Sequence, residues 1–345
     1  MKVLVAGLGS VGQRHVRNLR LLLGSDVEII AYRVRNVTQV ITESLQIETG
    51  SSVAAKYALR TCEDLDQALA LQPQAAFVCN PSGHHLPVAL SAARAGCHLL
   101  VEKPLSDRYE GVDDLINLVD DRGLVALVGY QMRFHPALQR VRCLLEQRAI
   151  GQVLAVRVEV GEYLPAAHPY EDYRGTYAAR CELGGGVVLS QSHELDYVYW
   201  LFGLPRRIFA LGGHLSSLDI DVEDTASILM ECVVDGKPVP VHVSQDFVQR
   251  PPSRGCQIVG DEGKIRLDFR ALTLELFDGG GELADCRTFT GFERNQMFVD
   301  ELMHFLACLR GEETPVVTLR DGAQSLRIAL AARQSIETGQ VVDVS

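Results

Sequence analysis

The stretch KVLVAGLGSVGQRH, residues 2–15, joins an apolar, strand-like run to glycines at 7, 9 and 12 and then to a helical pattern. A strand that feeds a helix through so short a turn begins a parallel βα unit, and each glycine has a physical role in it. Gly7 permits the turn, Gly9 lets the backbone approach a pyrophosphate, and Gly12 lets helix and strand pack closely. The first turn of the helix adds positive potential. Gly7, Gly9, Ser10, Val11 and Gly12 are therefore assigned to a dinucleotide.

The same rhythm continues to about residue 130. The runs KVLVA, VEIIAY, AAFVCN, HLLVE and LVALVGY alternate with stretches whose apolar residues recur every three or four positions. That pattern predicts a parallel sheet with covering helices at about 11–23, 65–71, 85–95 and 109–121. The connection from 33 to 61 is long and partly helical.

Beyond 130 the pattern changes. A helix over 136–147 leads to VLAVRVEV, a polar and aromatic loop, a glycine triplet that opens a helix, and then alternating runs such as TASILMECVV, PVPVHVSQDF and GKIRLDF. Successive strands joined by Gly-containing turns predict a mostly antiparallel sheet, closed by helices over 294–309 and 321–337. The expected fold class is α/β. A doubly wound parallel sheet fills 1–130, and a second α/β domain with an open, mostly antiparallel sheet fills 131–345, its closing helices free to pack back on the first. With no flexible linker between them, the two should share a tight interface with a cleft.

A net charge of −11 argues against a nucleic-acid partner or an anionic membrane surface, though it leaves room for a local basic pocket. The nine cysteines are scattered, with no CxxC pair and no zinc-type spacing, and are read as free thiols in a reducing cytoplasm. No metal site is expected. The N-terminal apolar run is too short for a signal peptide, and no run of eighteen apolar residues occurs, so a cytosolic protein is expected.

Further candidates lie where parallel strands end, the edge at which open α/β sheets place ligands. The second strand ends IIAYRVRN, with Arg33, supported by Arg35, where a carboxylate would favour NAD. This predicts NADP(H) as the preferred cofactor, with NAD(H) the alternative. Asn80, Pro81 and His85 in CNPSGHHLPVAL are assigned to the cofactor. So are Glu102 and Lys103 in HLLVEKPLS, where a lysine beside a nicotinamide can transfer a proton.

Taken in order, GxGxxG with His15, the EKP tripeptide at 102–104, GYQMRFHP at 129–136, and a glycine triplet leading to His193-x-x-Asp196 resemble the Gfo/Idh/MocA family of NAD(P)-dependent oxidoreductases. The resemblance implies an N-terminal Rossmann domain and a C-terminal sheet that often supports oligomers, here a dimer or tetramer. It also implies hydride transfer to or from a secondary hydroxyl or carbonyl of a sugar, acidic sugar or nucleotide sugar. It carries the catalytic lysine to Lys103 and the active-site histidine to His193. Family members commonly hold an Asp one turn before that histidine, whereas this chain has Leu189 or Ser190. Lys103 is therefore expected to be the main acid/base group, with His193 assisting.

Tyr130, Arg133, His168, Tyr173, Arg174, Ser190, His193 and Asp196 are assigned to the substrate. The loop YLPAAHPYEDYRGTYAAR is rich in the rings and guanidinium groups that bind hydroxyls and anions, and it resembles the part of the family linked to bacterial surface sugars. Two rival readings stand beside this one: an imine or non-sugar carbonyl reductase, and a dinucleotide-binding regulator without turnover.

Overall fold

The five apolar runs and one short polar strand, Arg60–Cys62, form one sheet, all parallel, in the order Arg60–Cys62, Glu28–Tyr32, Lys2–Ala6, Ala75–Val78, His98–Glu102, Ala126–Gly129. The computed structural model describes residues 1–33 and 38–344. Val3, Leu4, Val5 and Ala6 are all fully buried, because helices cover both faces of the sheet, and this is why the strand reads as an unbroken apolar run. Strand order reverses between Lys2–Ala6 and Ala75–Val78, which opens a crevice at the carboxyl edge. Residues 7, 80, 103 and 130 follow the strands that end on this edge.

The second sheet has nine strands, ordered Leu283–Thr288, Thr273–Asp278, Gly263–Asp268, Val248–Gly260, Val153–Tyr163, Lys237–Asp246, Thr225–Val234, Arg207–Gly213, Val342–Asp343. Every neighbouring pair is antiparallel except Val153–Tyr163 with Lys237–Asp246. Alternation sets its two faces: Ala226, Ile228, Met230 and Cys232 are buried, while Ser227 and Leu229 point outward. Helices His193–Phe202 and Leu319–Thr338 pack against it. Leu154, Leu211, Leu229 and Val259 are exposed on its strands.

Most helices lie within a residue or two of the periodicity. The helix expected at 109–121 instead begins at Val112, after Gly111 in the left-handed region at φ +83°. The last helix starts at Leu319 because Thr318 and Asp321 form a reciprocal capping box. The glycine triplet does not open one continuous helix. A single turn, Val187–Ser190, is followed by Gln191 and Ser192, and a separate helix starts at His193.

The closing helices join the two sheets. Asn295, in helix Arg294–Leu309, accepts from Arg14 at 2.9 Å and donates to Asn18 at 3.0 Å, which clamps it to the helix Ser10–Leu23. Val128 N donates to Val317 O at 3.1 Å. The carboxyl edge of the parallel sheet thus faces residues of the second half across one cleft.

Candidate active site

The three glycines of the first turn behave differently. Gly7 has φ +95°, and a Cβ there would lie 2.8 Å from the Asn80 nitrogen, so the turn presses on the fourth strand's exit. A Cβ at Gly12 would lie 2.0 Å from the Gly7 carbonyl oxygen, which is helix-on-turn packing that only glycine allows. At Gly9 a Cβ would meet no protein atom within 4 Å. The helix that follows has no side-chain cap and no acidic residue in its first turn. Its free N–H groups and open approach fit a pyrophosphate, and the buried Oδ1 of Asn80 beside it has no partner. These residues fit a dinucleotide.

The chemical centre lies at the next strand exit. Lys103 Nζ donates to the Ser190 carbonyl at 2.5 Å, tying the EKP strand to the turn before His193. The Lys103–Pro104 peptide is cis. His193 is buried at the first position of its helix, edge-on to the ring of Tyr130 at 5.7 Å between centroids. Its Nε2 lies 3.2 Å from the Gln131 side-chain nitrogen, so with that amide donating, the imidazole proton belongs on Nδ1, which has no partner. Burial, and after it the charges of Lys103, Arg254 and Arg294, push the imidazole well below its usual range. At neutral pH the centre therefore pairs an amine with a neutral imidazole.

Three of the residues around this centre are not assigned by the sequence reading: Gln131, Arg254 and Arg294. Gln131 sits inside the GYQMRFHP motif, where an amide has no chemistry of its own to announce it. Arg254 is on strand Val248–Gly260 and donates from Nε to Glu194 Oε1 at 2.7 Å, fixing the residue next to His193. Isolated arginines in a strand and at a helix start carry no spacing signal.

Residues 1–130 match the model of the Gfo/Idh/MocA oxidoreductase family's NAD-binding Rossmann fold, and residues 138–266 match that of the family's C-terminal domain. The chain belongs to the Gfo/Idh/MocA oxidoreductase family. It is 25% identical to myo-inositol 2-dehydrogenase of Thermotoga maritima, over 98% of this chain and 96% of that one. The WlbA dehydrogenase of Bordetella pertussis, solved with NADH and UDP-GlcNAcA, is similar in fold at a TM-score of 0.80 and 23% identity, covering 99% of this chain and 98% of that one. UDP-N-acetylglucosamine 3-dehydrogenase GnnA of Acidithiobacillus ferrooxidans gives 0.73 at 23%, covering 98% of each.

Against the Gfo/Idh/MocA pattern, several residues expected to touch ligands are committed elsewhere. Arg133 and Asp196 form a buried two-pronged pair, Nη2 to Oδ1 at 2.7 Å and Nε to Oδ2 at 2.9 Å, with Ser325 Oγ on Oδ1 at 2.9 Å. The hydrogen bonds of the Asp196 carboxylate go to Arg133 and Ser325, not to His193. Tyr130 is fully buried and braces the His193 ring. Ser190 belongs to the separate turn before His193; its hydroxyl is buried without a partner, and its carbonyl is what engages Lys103. Both ring nitrogens of His85 lie against backbone carbonyls, Pro104 at 2.8 Å and Asn80 at 2.6 Å, so the ring ties together the two loops assigned to the cofactor. Glu102 is held by His15 Nε2 at 2.7 Å.

In the aromatic loop, Tyr173 OH accepts from Asp219 N at 3.2 Å, and Arg174 pairs with Asp172 at 2.9 Å on the surface. Tyr173 thus ties the loop to the segment after strand Arg207–Gly213, while Arg174 pairs within the loop. His168 Nδ1 lies 2.7 Å from Tyr170 OH, and Tyr170 stands near enough to Ser10 to feel its side chain, so the loop comes up to the cofactor helix. Arg33 donates its backbone N–H to Cys62 O at 3.1 Å at the end of the second strand, and Arg35 lies outside the described residues. Among the described residues no group of three or more His, Cys, Asp or Glu is placed to hold a metal, and no helix is long and apolar enough to cross a membrane.

Proposed function

We propose that this protein transfers a hydride between a nicotinamide dinucleotide and a secondary hydroxyl or carbonyl of a sugar-like substrate, with Lys103 moving the proton. The observation that carries this reading is the convergence of Lys103 and neutral His193 at the carboxyl edge, on the cleft that begins at the open approach to Gly9. A bound nicotinamide supplies the hydride donor or acceptor. The Gly7–Gly12 turn, Asn80 and Pro81 hold the dinucleotide, and the His85 bridge fixes the loops around it.

Lys103 donates a proton to the substrate oxygen in reduction and accepts it in oxidation. His193, kept neutral, hydrogen-bonds the same oxygen. Gln131 and Tyr130 fix the ring, and the Ser190 carbonyl fixes the amine. Such positioning supplies much of the rate in reactions of this kind. Arg33, standing where NAD-selective chains hold a carboxylate, supports acceptance of NADP(H). The exposed Leu154, Leu211, Leu229 and Val259 support pairing of the open sheet with a second copy, and the nine free cysteines suit a reducing compartment.

The test is nicotinamide absorbance with purified protein, NAD(H) and NADP(H), and a panel of inositols, hexoses, uronic acids and nucleotide sugars. Turnover with at least one member is expected. Leu189 and Ser190 in place of a carboxylate favour one rival, a dinucleotide-binding regulator. Tight cofactor binding with no turnover across the panel would favour it.

A further inference from the structure

Two arginines approach the cleft, and the proposed proton transfer uses neither. Arg254 has one edge spent on Glu194 at 2.7 Å, and its guanidinium carbon lies 5.8 Å from the centre of the Phe269 ring. Glu194 is fully buried while the Arg254 side chain is 25% exposed, so the pair has a dry carboxylate end and a wet guanidinium end.

Arg294 opens the helix Arg294–Leu309, and its neighbours fix its place. Asn295 is bonded to Arg14 of the cofactor helix, and Phe292 packs on His135 at 4.6 Å, which packs at 5.2 Å on the same Phe269. Arg294 therefore stands between the cofactor helix and Arg254. It is exposed to solvent, and among the described residues its guanidinium has no ion pair or hydrogen bond. Although Arg294 keeps contact with solvent, desolvation by the surrounding protein and then the charge of Arg254 lower its pKa, and both guanidinium charges are felt at His193. The counter-charge that faces both is Glu162, at the exposed rim. The charges felt at His193 are those of Lys103, Arg254 and Arg294, all positive, in a protein whose net charge is −11. An anion between the guanidinium groups relieves their repulsion, and the planar fork of arginine matches a carboxylate or phosphoryl group.

We propose that Arg294 and Arg254 form an anion subsite facing Lys103 and His193, which holds a carboxylate or phosphoryl group carried by the substrate and selects acidic sugars over neutral ones. The proposal rests on the oxidoreductase reading above. Its test is calorimetric binding to the NADH-loaded protein of D-glucuronate, UDP-glucose and D-glucose, for the wild type, Arg294→Gln and Arg294→Lys.

The expected result is wild-type preference for an anionic ligand over glucose by about tenfold or more, the arithmetic of about 1.4 kcal/mol. Arg294→Gln should abolish that preference and Arg294→Lys should restore part of it, with NADH affinity and melting temperature unchanged. Glucuronate or UDP-glucose as the preferred ligand identifies the anion as carboxylate or phosphoryl. Equal binding of all three ligands by the wild type, or a loss in Arg294→Gln confined to NADH, overturns the subsite; the latter would give the guanidinium to the cofactor. Anion-selective binding without turnover of any sugar would keep the subsite and defeat the oxidoreductase reading.

Discussion

Replacing Arg133 by leucine should unfold this protein more readily and leave substrate recognition in the surviving fold nearly untouched. Arg133 makes two short bonds to Asp196, at 2.7 and 2.9 Å, between side chains that are 4% and 0% exposed. Burial pushes the Asp196 carboxyl up and Arg133 opposes it, so in the variant the acid is left with Ser325 and is driven toward its neutral form. Breaking one side of a buried pair costs about 3–5 kcal/mol.

Asp196→Leu should cost less, roughly 2–3 kcal/mol, because Arg133 keeps Asp321 at 3.5 Å and the Val316 carbonyl at 3.2 Å. The double variant should lose about 2 kcal/mol less than the two singles together. With 345 residues unfolding as one unit, the unfolding entropy is about 0.7 kcal/mol per kelvin. Arg133→Leu should then lower the melting temperature by about 4–7 °C. Calorimetry on the four proteins, with KM on any turned-over substrate, is the assay. An unchanged melting temperature with KM raised tenfold or more would mean that Arg133 serves the substrate and that the pair is incidental.

Gly9→Ala should fold normally, since its methyl meets no protein atom within 4 Å, yet weaken dinucleotide binding by about tenfold or more. Gly12→Ala forces a Cβ to 2.0 Å from the Gly7 carbonyl and should cost about 1–3 kcal/mol or more in denaturant titrations. Equal melting temperatures for the two variants would contradict the assignment. Glu301 is fully buried, both its carboxyl oxygens lack partners, and burial followed by the charge of Glu102 raises its pKa well above the usual range. Its proton is bound in the fold and lost from the unfolded chain above about pH 4.3, so its contribution to stability is full at low pH and declines as pH rises. The stability gained by Glu301→Gln should therefore be larger at pH 8 than at pH 5; a constant gain would mean that the carboxyl is ionised in the fold. His193, held below its usual range, runs the other way. Its contribution is full above about pH 6.5 and falls as the solution is acidified, so His193→Gln should gain relative to wild type between pH 7 and pH 5. A gap that does not move with pH would show a normally titrating imidazole.

The parallel sheet was legible because a strand buried on both faces must be apolar throughout, and Gly7 and Gly12 sit where only glycine fits. The helix over 294–309 was legible from its period alone. The break between Ser190 and His193 was not, since Gln191 and Ser192 are ordinary helix residues and the interruption comes from tertiary contacts, among them Gln191 Nε2 to the Asp246 carbonyl and Gln245 Nε2 to the Gln191 carbonyl. Spacing placed Asp196 on the catalytic helix but could not say which way it turned, and Arg133, 63 positions earlier, decided that. Lys103 and His193 were readable from motifs. Arg254 and Arg294 come from a bulged strand and a helix start that only the tertiary fold brings to the same cleft.

Proton transfer in this site falls to the amine of Lys103. Nicotinamide absorbance in Lys103→Met, followed beside NADH binding by fluorescence on the same preparation, isolates the proton transfer from the cofactor site. Turnover lower by about two to four orders of magnitude with NADH affinity unchanged is the predicted result. Turnover within a few fold of wild type would contradict the account and move the acid/base role to another residue of the cleft.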